Sequence, residues 1–206
     1  MRGLYLVTDR RLCRGKPLEE VIIKAVKGGV AYVQLREKDI STRFFVEEAK
    51  RVKKILEPHK VPLIINDRVD VALACGAEGV HIGQEDMPYK IVRELMGQKA
   101  IIGLSVETWE DVEASQKLDL SYIGVSPVFV TPTKTDTKDA WGLDGLTKIK
   151  TFSRHPLVAI GGINESNVQK VVKAGADCIA VVSAICAASN PEAAARGIND
   201  MINAAL

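Results

Sequence analysis

Gly76-Ala77-Glu78-Gly79-Val80-His81-Ile82-Gly83-Gln84-Glu85-Asp86 carries the plan that the rest of the chain repeats. A glycine able to take the left-handed conformation closes a helix, a short apolar run follows, and the run opens onto glycine and groups that bind charge. The same plan is written at Gly28-Gly29-Val30-Ala31-Tyr32 and at Gly175-Ala176-Asp177-Cys178-Ile179. Outward from that stretch, eight apolar runs recur, beginning with Gly3-Leu4-Tyr5-Leu6-Val7. Tyr32-Val33 leads into Gln34-Leu35-Arg36-Glu37-Lys38, Leu63-Ile64-Ile65 into Asn66-Asp67, and Ile101-Ile102-Gly103-Leu104 into Ser105. Tyr122-Ile123-Gly124-Val125 precedes Thr131-Pro132-Thr133-Lys134, Leu157-Val158-Ala159-Ile160 meets Gly161-Gly162, and Cys178-Ile179-Ala180-Val181-Val182 meets Ser183.

A stretch of helical periodicity follows each run. Apolar residues at 18, 21, 22, 25 and 26 form one stripe, and residues 41–56 repeat the pattern with Ser41 or Thr42 placed to cap and Pro58 beyond the end. Further helices are expected over 69–74, 89–96, 109–117, 143–152, 166–173 and 192–205. Strand and helix alternating from end to end imply a parallel sheet with helices outside it. Eight such units without a GxGxxG favour closure into a single (β/α)8 TIM barrel, residues 1–206 forming one domain, over an open doubly wound sheet. The active site is then expected at the C-terminal ends of the strands.

Bulk properties narrow the function. Apolar residues make up 47% and charged residues 26%, an ordinary globular mixture, and a net charge of +2 argues for neither a nucleic-acid nor a membrane partner. No apolar run reaches the ~20 residues that span a bilayer, no signal peptide precedes the first strand, and the expected location is the cytoplasm. The four cysteines lack CxxC and metal-ligand spacing and read as core residues. His81, within a strand, reads as a hydrogen-bonded core residue, and Trp109 and Trp141 as packing residues.

The strand ends carry the chemistry. Alternation across the second strand sends Val33 and Leu35 toward the helices and Gln34, Arg36 and Lys38 inward. Two inward cations are either paired in a salt-bridge network or form an anion site, and the polarity of the other strand ends favours the second. Asp67 follows the third strand and Asp86 the fourth, close enough for both carboxylates to reach one cation; oxygen ligands suit Mg2+. Cations and a carboxylate-bound metal in one mouth point to a diphosphate. Gly161-Gly162 and Ser183 form a second anion site after strands seven and eight, where barrels commonly bind phosphate. The long connection 127–142 supplies Thr131, Thr133 and Lys134 and reads as a binding loop.

Seven segments, taken in order, resemble the motif series of the thiamine-phosphate synthase family: Gln34-Leu35-Arg36-Glu37-Lys38, Asn66-Asp67, His81-Ile82-Gly83-Gln84-Glu85-Asp86, Gly103-Leu104-Ser105, Thr131-Pro132-Thr133-Lys134-Thr135-Asp136, Ile160-Gly161-Gly162-Ile163 and Val181-Val182-Ser183-Ala184-Ile185. The resemblance runs from Tyr5-Leu6-Val7-Thr8-Asp9 to the last strand. It implies a transferase that joins a hydroxymethylpyrimidine diphosphate to a thiazole phosphate, or its carboxylated form, and releases pyrophosphate. It implies that Gln34, Leu35, Arg36, Glu37, Lys38, Asn66, Ser105 and Lys134 hold the pyrimidine diphosphate. Thr131, Pro132, Thr133, Gly162, Val182 and Ser183 would hold the thiazole phosphate, and Asp67 and Asp86 one Mg2+ per site. Arg36, Lys38, Ser105 and Lys134 would be the catalytic group, with Ser105 a hydrogen-bond donor that has no evident His partner. The implied partners are these two small molecules, with the oligomeric state open, a homo-oligomer included. The rivals are a thiazole tautomerase-like isomerase and a non-catalytic thiazole phosphate-binding barrel; neither needs the joint presence of Arg36, Lys38, Asp67, Asp86 and Lys134.

Overall fold

A computed structural model describes residues 1–130 and 139–206. The strands are β1 (Gly3–Val7), β2 (Val30–Leu35), β3 (Leu63–Asn66), β4 (Gly79–Ile82), β5 (Ile101–Val106), β6 (Tyr122–Val125), β7 (Leu157–Ala159) and β8 (Cys178–Val181). They close in sequence order into an all-parallel barrel, with β8 pairing back onto β1. The helices between them are α1 (Leu18–Lys27), α2 (Thr42–Leu56), α3 (Val69–Cys75), α4 (Tyr89–Met96), α5 (Trp109–Ser115), α6 (Gly142–Phe152), α7 (Val168–Lys173), the short α8 (Ser183–Cys186) and α9 (Pro191–Ala205). This is the (β/α)8 architecture that the alternating pattern predicts.

Local chemistry sets the helix ends. Ser41 Oγ accepts the Phe44 N–H at the start of α2, and Thr108 and Asp111 form a reciprocal capping box on α5. Asn190 caps α9 directly ahead of Pro191. Gly76 ends α3 at φ +67° and Gly175 follows α7 at φ +107°, as the recurrent glycines predict. The third case differs: Gly28 sits at φ −80°, and it is Gly29 that turns left-handed at φ +98°. Gly28 is required for space instead, since a Cβ there would lie 2.5 Å from the Glu192 carbonyl oxygen of α9. Sequence pattern alone did not indicate the short helix Ser183–Cys186 or the 3-10 turn Arg10–Cys13 after β1.

The apolar residues separate into two layers. Val33, Leu35, Ile65, Val80, Ile102, Ile123 and their equivalents pack outward against the helices. Tyr5, Val7, Ile64, Tyr122, Val158, Cys178 and Ala180 fill the barrel itself. All four cysteines are buried and none is in a disulfide, in keeping with core positions. Trp109 is half-buried against Phe152 at 5.2 Å between ring centroids.

The close approach of β4 to β5 yields a prediction. A Cβ on Gly79 would stand 2.2 Å from the Ile101 carbonyl oxygen, an atom of the barrel wall with no freedom to withdraw. Gly79→Ala should therefore destabilise the fold by about 1–3 kcal/mol or more, as overpacking does, read as a lowered midpoint in urea unfolding.

Candidate active site

A cavity of about 1000 Å³ opens at the C-terminal ends of the strands. Of the residues expected to act, Gln34, Arg36, Lys38, Asn66, Asp67, Asp86 and Ser105 line it on one side, and Gly162, Val182 and Ser183 on the other. Thr131, Pro132, Thr133 and Lys134 lie outside the described residues.

The cationic arm leaves the end of β2. The Arg36 N–H donates to Thr8 Oγ1 at 3.0 Å, with Thr8 fully buried, and the Arg36 guanidinium stands 4.0 Å from Asp9. Lys38 Nζ donates to Asp67 Oδ2 at 2.5 Å. Two members of the same run do not reach the cavity through their side chains. Leu35 is wholly buried in the outer layer against the helices. Glu37 turns away to accept from Arg10 Nε at 3.1 Å, and the same guanidinium binds Glu48 on α2. Strand alternation accounts for Leu35, the last residue of β2, which faces outward beside the inward Gln34; Glu37 lies past the strand end and is directed by its pairing with Arg10. Of the two expected readings, the structure shows the ion pairs: Lys38 with Asp67 and Arg36 with Asp9. Glu37 is held by Arg10, while Arg36 and Lys38 stay in the mouth beside acidic partners.

Asp67 and Asp86 come from adjacent strand ends. Asp67 adopts φ +61°, uncommon outside glycine, and its N–H donates to the His81 carbonyl oxygen at 2.8 Å. That left-handed residue directs the chain sharply off β3 and brings the carboxylate over the cavity. Asp86 Oδ2 accepts the Gly83 N–H at 2.6 Å. Burial, and then the neighbouring Asp67 carboxylate, push the Asp86 carboxyl above the ordinary aspartate range, against the opposing pull of the Gly83 N–H. Two facing carboxylates that resist sharing negative charge suit a divalent cation with oxygen ligands. No group of three or more His, Cys, Asp or Glu side chains with metal-binding geometry occurs among the described residues. Mg2+ fits such a pair, because it is commonly bound by one or two carboxylates and completes its shell with water and phosphate oxygens.

Below these charges runs a chain of side-chain hydrogen bonds. Gln34 Nε2 donates to Tyr5 Oη at 3.0 Å, Tyr5 Oη meets Tyr122 Oη at 3.0 Å, Tyr122 Oη meets His81 Nδ1 at 2.9 Å, and His81 Nε2 meets Ser105 Oγ at 2.8 Å. This corrects one expectation: Ser105 does have a histidine partner, His81. His81 is hydrogen-bonded as expected, but it is half-buried and lines the cavity where a core residue was expected. Tyr5 and Tyr122 are 1% and 0% exposed, and burial holds both phenols well above the usual tyrosine range, hence neutral. Glycines make the space. A Cβ on Gly103 would lie 2.1 Å from the Tyr122 ring, and one on Gly124 would lie 3.0 Å from His81. Tyr5 and Tyr122 were not singled out from sequence, although each sits at an inward position of an apolar strand, where a tyrosine needs a partner for its hydroxyl.

The opposite wall is backbone. Gly161 and Gly162 take φ +107° and +65°, and a Cβ on either would lie within 2.8 Å of Pro127 or Phe129. Val128 and Phe129 donate to the carbonyls of Ile160 and Gly161, which pins the start of the long connection to this turn. Val182 precedes the short α8, and Ser183 is exposed at its start.

Comparison with known proteins gives one family. Residues 4–185 match the family described as thiamine monophosphate synthase. A thiamine-phosphate synthase of Leptospira biflexa is 57% identical over 198 residues, covering 94% of each chain. One from Albidiferax ferrireducens is 54% identical over 201 residues, covering 98% of this chain and 92% of its own. Among solved structures, a thiamine phosphate pyrophosphorylase from Pyrococcus furiosus superposes with a TM-score of 0.90 at 37% identity, over 99% of this chain and 96% of that one.

The Arg10 cluster carries a pH prediction. Burial, and then the nearby Glu48 carboxylate, outweigh the attraction of Arg10 and raise Glu37 from 4.5 to about 7. The folded chain therefore holds the Glu37 proton more tightly than the unfolded chain does. The resulting stabilisation is complete below pH 4.5 and is lost as pH rises through about 7. Glu37→Gln keeps a neutral side chain throughout, so its stability relative to the parent should rise between pH 5 and pH 8 in urea unfolding. A constant difference across that range would show that Glu37 does not titrate there.

Proposed function

The chain belongs to the thiamine monophosphate synthase family, and we propose that its mouth seats an aminopyrimidine diphosphate and a thiazole phosphate together and joins them. The activity is that of a thiamine-phosphate synthase, a transferase of thiamine biosynthesis, whose second product is pyrophosphate. One observation supports this reading of the site above the others. Arg36 and Lys38 stand beside the Asp67–Asp86 pair in the same cavity that the Gly161-Gly162 turn closes from the far side. Cations and paired carboxylates suit a diphosphate with its metal, and the glycine turn suits a second phosphate.

In this reading Gln34 and Asn66 orient the pyrimidine, and Arg36, Lys38, Ser105 and Lys134 bind its diphosphate. Leu35 and Glu37 serve only through the backbone, since their side chains face the helices and Arg10. Asp67 and Asp86 would hold Mg2+, which when bound draws negative charge from the departing diphosphate. The C–O bond from the pyrimidine methylene to the diphosphate breaks, and its electron pair leaves with pyrophosphate. The electron-rich aminopyrimidine delocalises the positive charge left behind. Gly162, Val182, Ser183 and the segment Thr131, Pro132, Thr133 hold the thiazole phosphate, so that the thiazole nitrogen supplies the electron pair of the new C–N bond. No side chain forms a covalent bond to substrate; the protein positions the reactants and stabilises charge.

We assign this work to one catalytic domain over residues 1–206, acting in the cytoplasm on small molecules. No helix among the described residues is long and apolar enough to cross a membrane.

Purified protein incubated with both substrates and Mg2+ should form thiamine phosphate and pyrophosphate in equal amounts, and EDTA should stop both. Asp86→Ala should lower kcat/KM at least about 100-fold, since several kcal/mol of charge stabilisation goes with the ion, while the melting temperature stays near that of the parent. Undiminished turnover by the variant would remove Asp86 from the metal site.

A further inference from the structure

We infer that the chain Gln34–Tyr5–Tyr122–His81–Ser105 is a proton-ordered relay that makes Gln34 an acceptor and Ser105 a donor toward the cavity, and so selects a 4-aminopyrimidine over its 4-oxo counterpart. The inference rests on the reading of the mouth as a pyrimidine diphosphate site and names two tyrosines and a histidine as positioning residues for it.

The order follows from counting protons. Gln34 donates through Nε2 to Tyr5 Oη, so the Tyr5 proton is left for its other partner among the described residues, Tyr122. The Tyr122 oxygen then accepts from Tyr5, and its own proton goes to His81 Nδ1. An imidazole that accepts at Nδ1 carries its proton on Nε2, and that N–H donates to Ser105 Oγ. Ser105, having accepted, presents its O–H to the cavity it lines. At the other end, Gln34 has committed one of its two amide N–H groups to the relay, which fixes the amide plane and points its carbonyl oxygen away from Tyr5. Every link uses one proton, and the buried phenols stay neutral, so each oxygen has one proton to pass on.

The two ends are therefore coupled, although they stand on β2 and β5. An exocyclic amino group donates to the Gln34 carbonyl and leaves the order intact. An exocyclic oxygen in that position needs a donor where the carbonyl oxygen stands; if the amide turns over to place its NH2 there, its oxygen faces Tyr5, so Tyr5 must donate to Gln34 and Tyr122 to Tyr5. His81 then carries its proton on Nδ1, and Ser105 spends its hydroxyl on Nε2. The number of protons is unchanged, but Ser105 now offers only lone pairs to an anionic diphosphate. The wrong base thus weakens the hold on the leaving group as well as on itself. Gly103 and Gly124 fit this role, since a side chain at either would crowd Tyr122 or His81 out of line.

Two measurements test the inference. NMR of the imidazole nitrogens, with His81 assigned by its loss in His81→Asn, should find His81 as the neutral Nε2–H tautomer in the ligand-free protein near neutral pH. A proton on Nδ1, or on both nitrogens, overturns the relay without reference to any activity. Dissociation constants for the 4-amino pyrimidine diphosphate and its 4-oxo analogue, measured with Mg2+ and without thiazole phosphate, then test the coupling. Tyr122→Phe and Tyr5→Phe should each reduce the parent's preference for the amino compound about tenfold, the scale of one hydrogen bond, and leave KM for the thiazole phosphate unchanged. Parent-like discrimination in both folded variants rejects the coupling. A parent protein that binds neither pyrimidine rejects the reading of the mouth instead, and the histidine tautomer still decides the order of the chain.

Discussion

The barrel's closure dictates where chemistry can sit. Eight parallel strands joined edge to edge leave one interior, and each strand must send alternate residues into it. Outward positions face helices and are apolar throughout. Inward positions have two fates along each strand: the lower ones fill the barrel, and the upper ones reach the mouth. Ile64 packs inside the barrel and Asn66, two residues on, lines the cavity, while Tyr5, Val7 and Tyr122 do both. The site is thus the top layer of the core, and its polar groups must be satisfied as core groups are.

That requirement explains the hydrogen-bonded chain beneath the charges. Two phenols, an imidazole and an amide in a barrel interior would each be costly without partners, and each here finds its partner in another. It also explains the pairing at the rim. Lys38 and Asp67 neutralise one another at 2.5 Å, and Arg10 holds Glu37 and Glu48 on the outer side. The rim therefore keeps Arg36 and Lys38 in place at modest electrostatic cost.

Much of this was legible in the sequence because alternation is a property of neighbours along the chain. Gln34, Arg36 and Lys38 could be placed on one face from their spacing, and Asp67 and Asp86 from their position past two strands. The helix-ending role of Gly76 and Gly175 could be read from the glycine itself, whereas that of Gly28 could not, since its neighbour Gly29 takes the turn. The failures have a common cause. The partnership of His81 with Ser105 spans 24 residues and that of Tyr5 with Tyr122 spans 117, so each depends on registers between strands that no local pattern records. Glu37 belongs with them: it lies past the end of β2, and its partners Arg10 and Glu48 belong to other elements.

The glycines of β5 and β6 connect these observations. Gly103 and Gly124 look from sequence like weak points in two short strands, each lowering strand preference and supplying nothing to pack. In the barrel they are the complement of the largest inward side chains: Tyr122 occupies the room beside Gly103, and His81 the room beside Gly124. Register makes these pairings, with Gly103 opposite both His81 and Tyr122 and Gly124 opposite Ser105. Across β4, β5 and β6 a glycine therefore sits between two bulky polar residues, and the Tyr122 hydroxyl and the imidazole come into line because their neighbours lack side chains. The interior volume of a small barrel is limited, and this chain devotes a share of it to a hydrogen-bonded row where an all-apolar layer would pack more simply. Such a layer would leave Gln34 and Ser105 free to rotate at the surface of the cavity. The buried row holds them, so the orientation of the two mouth residues is a consequence of how the core is filled.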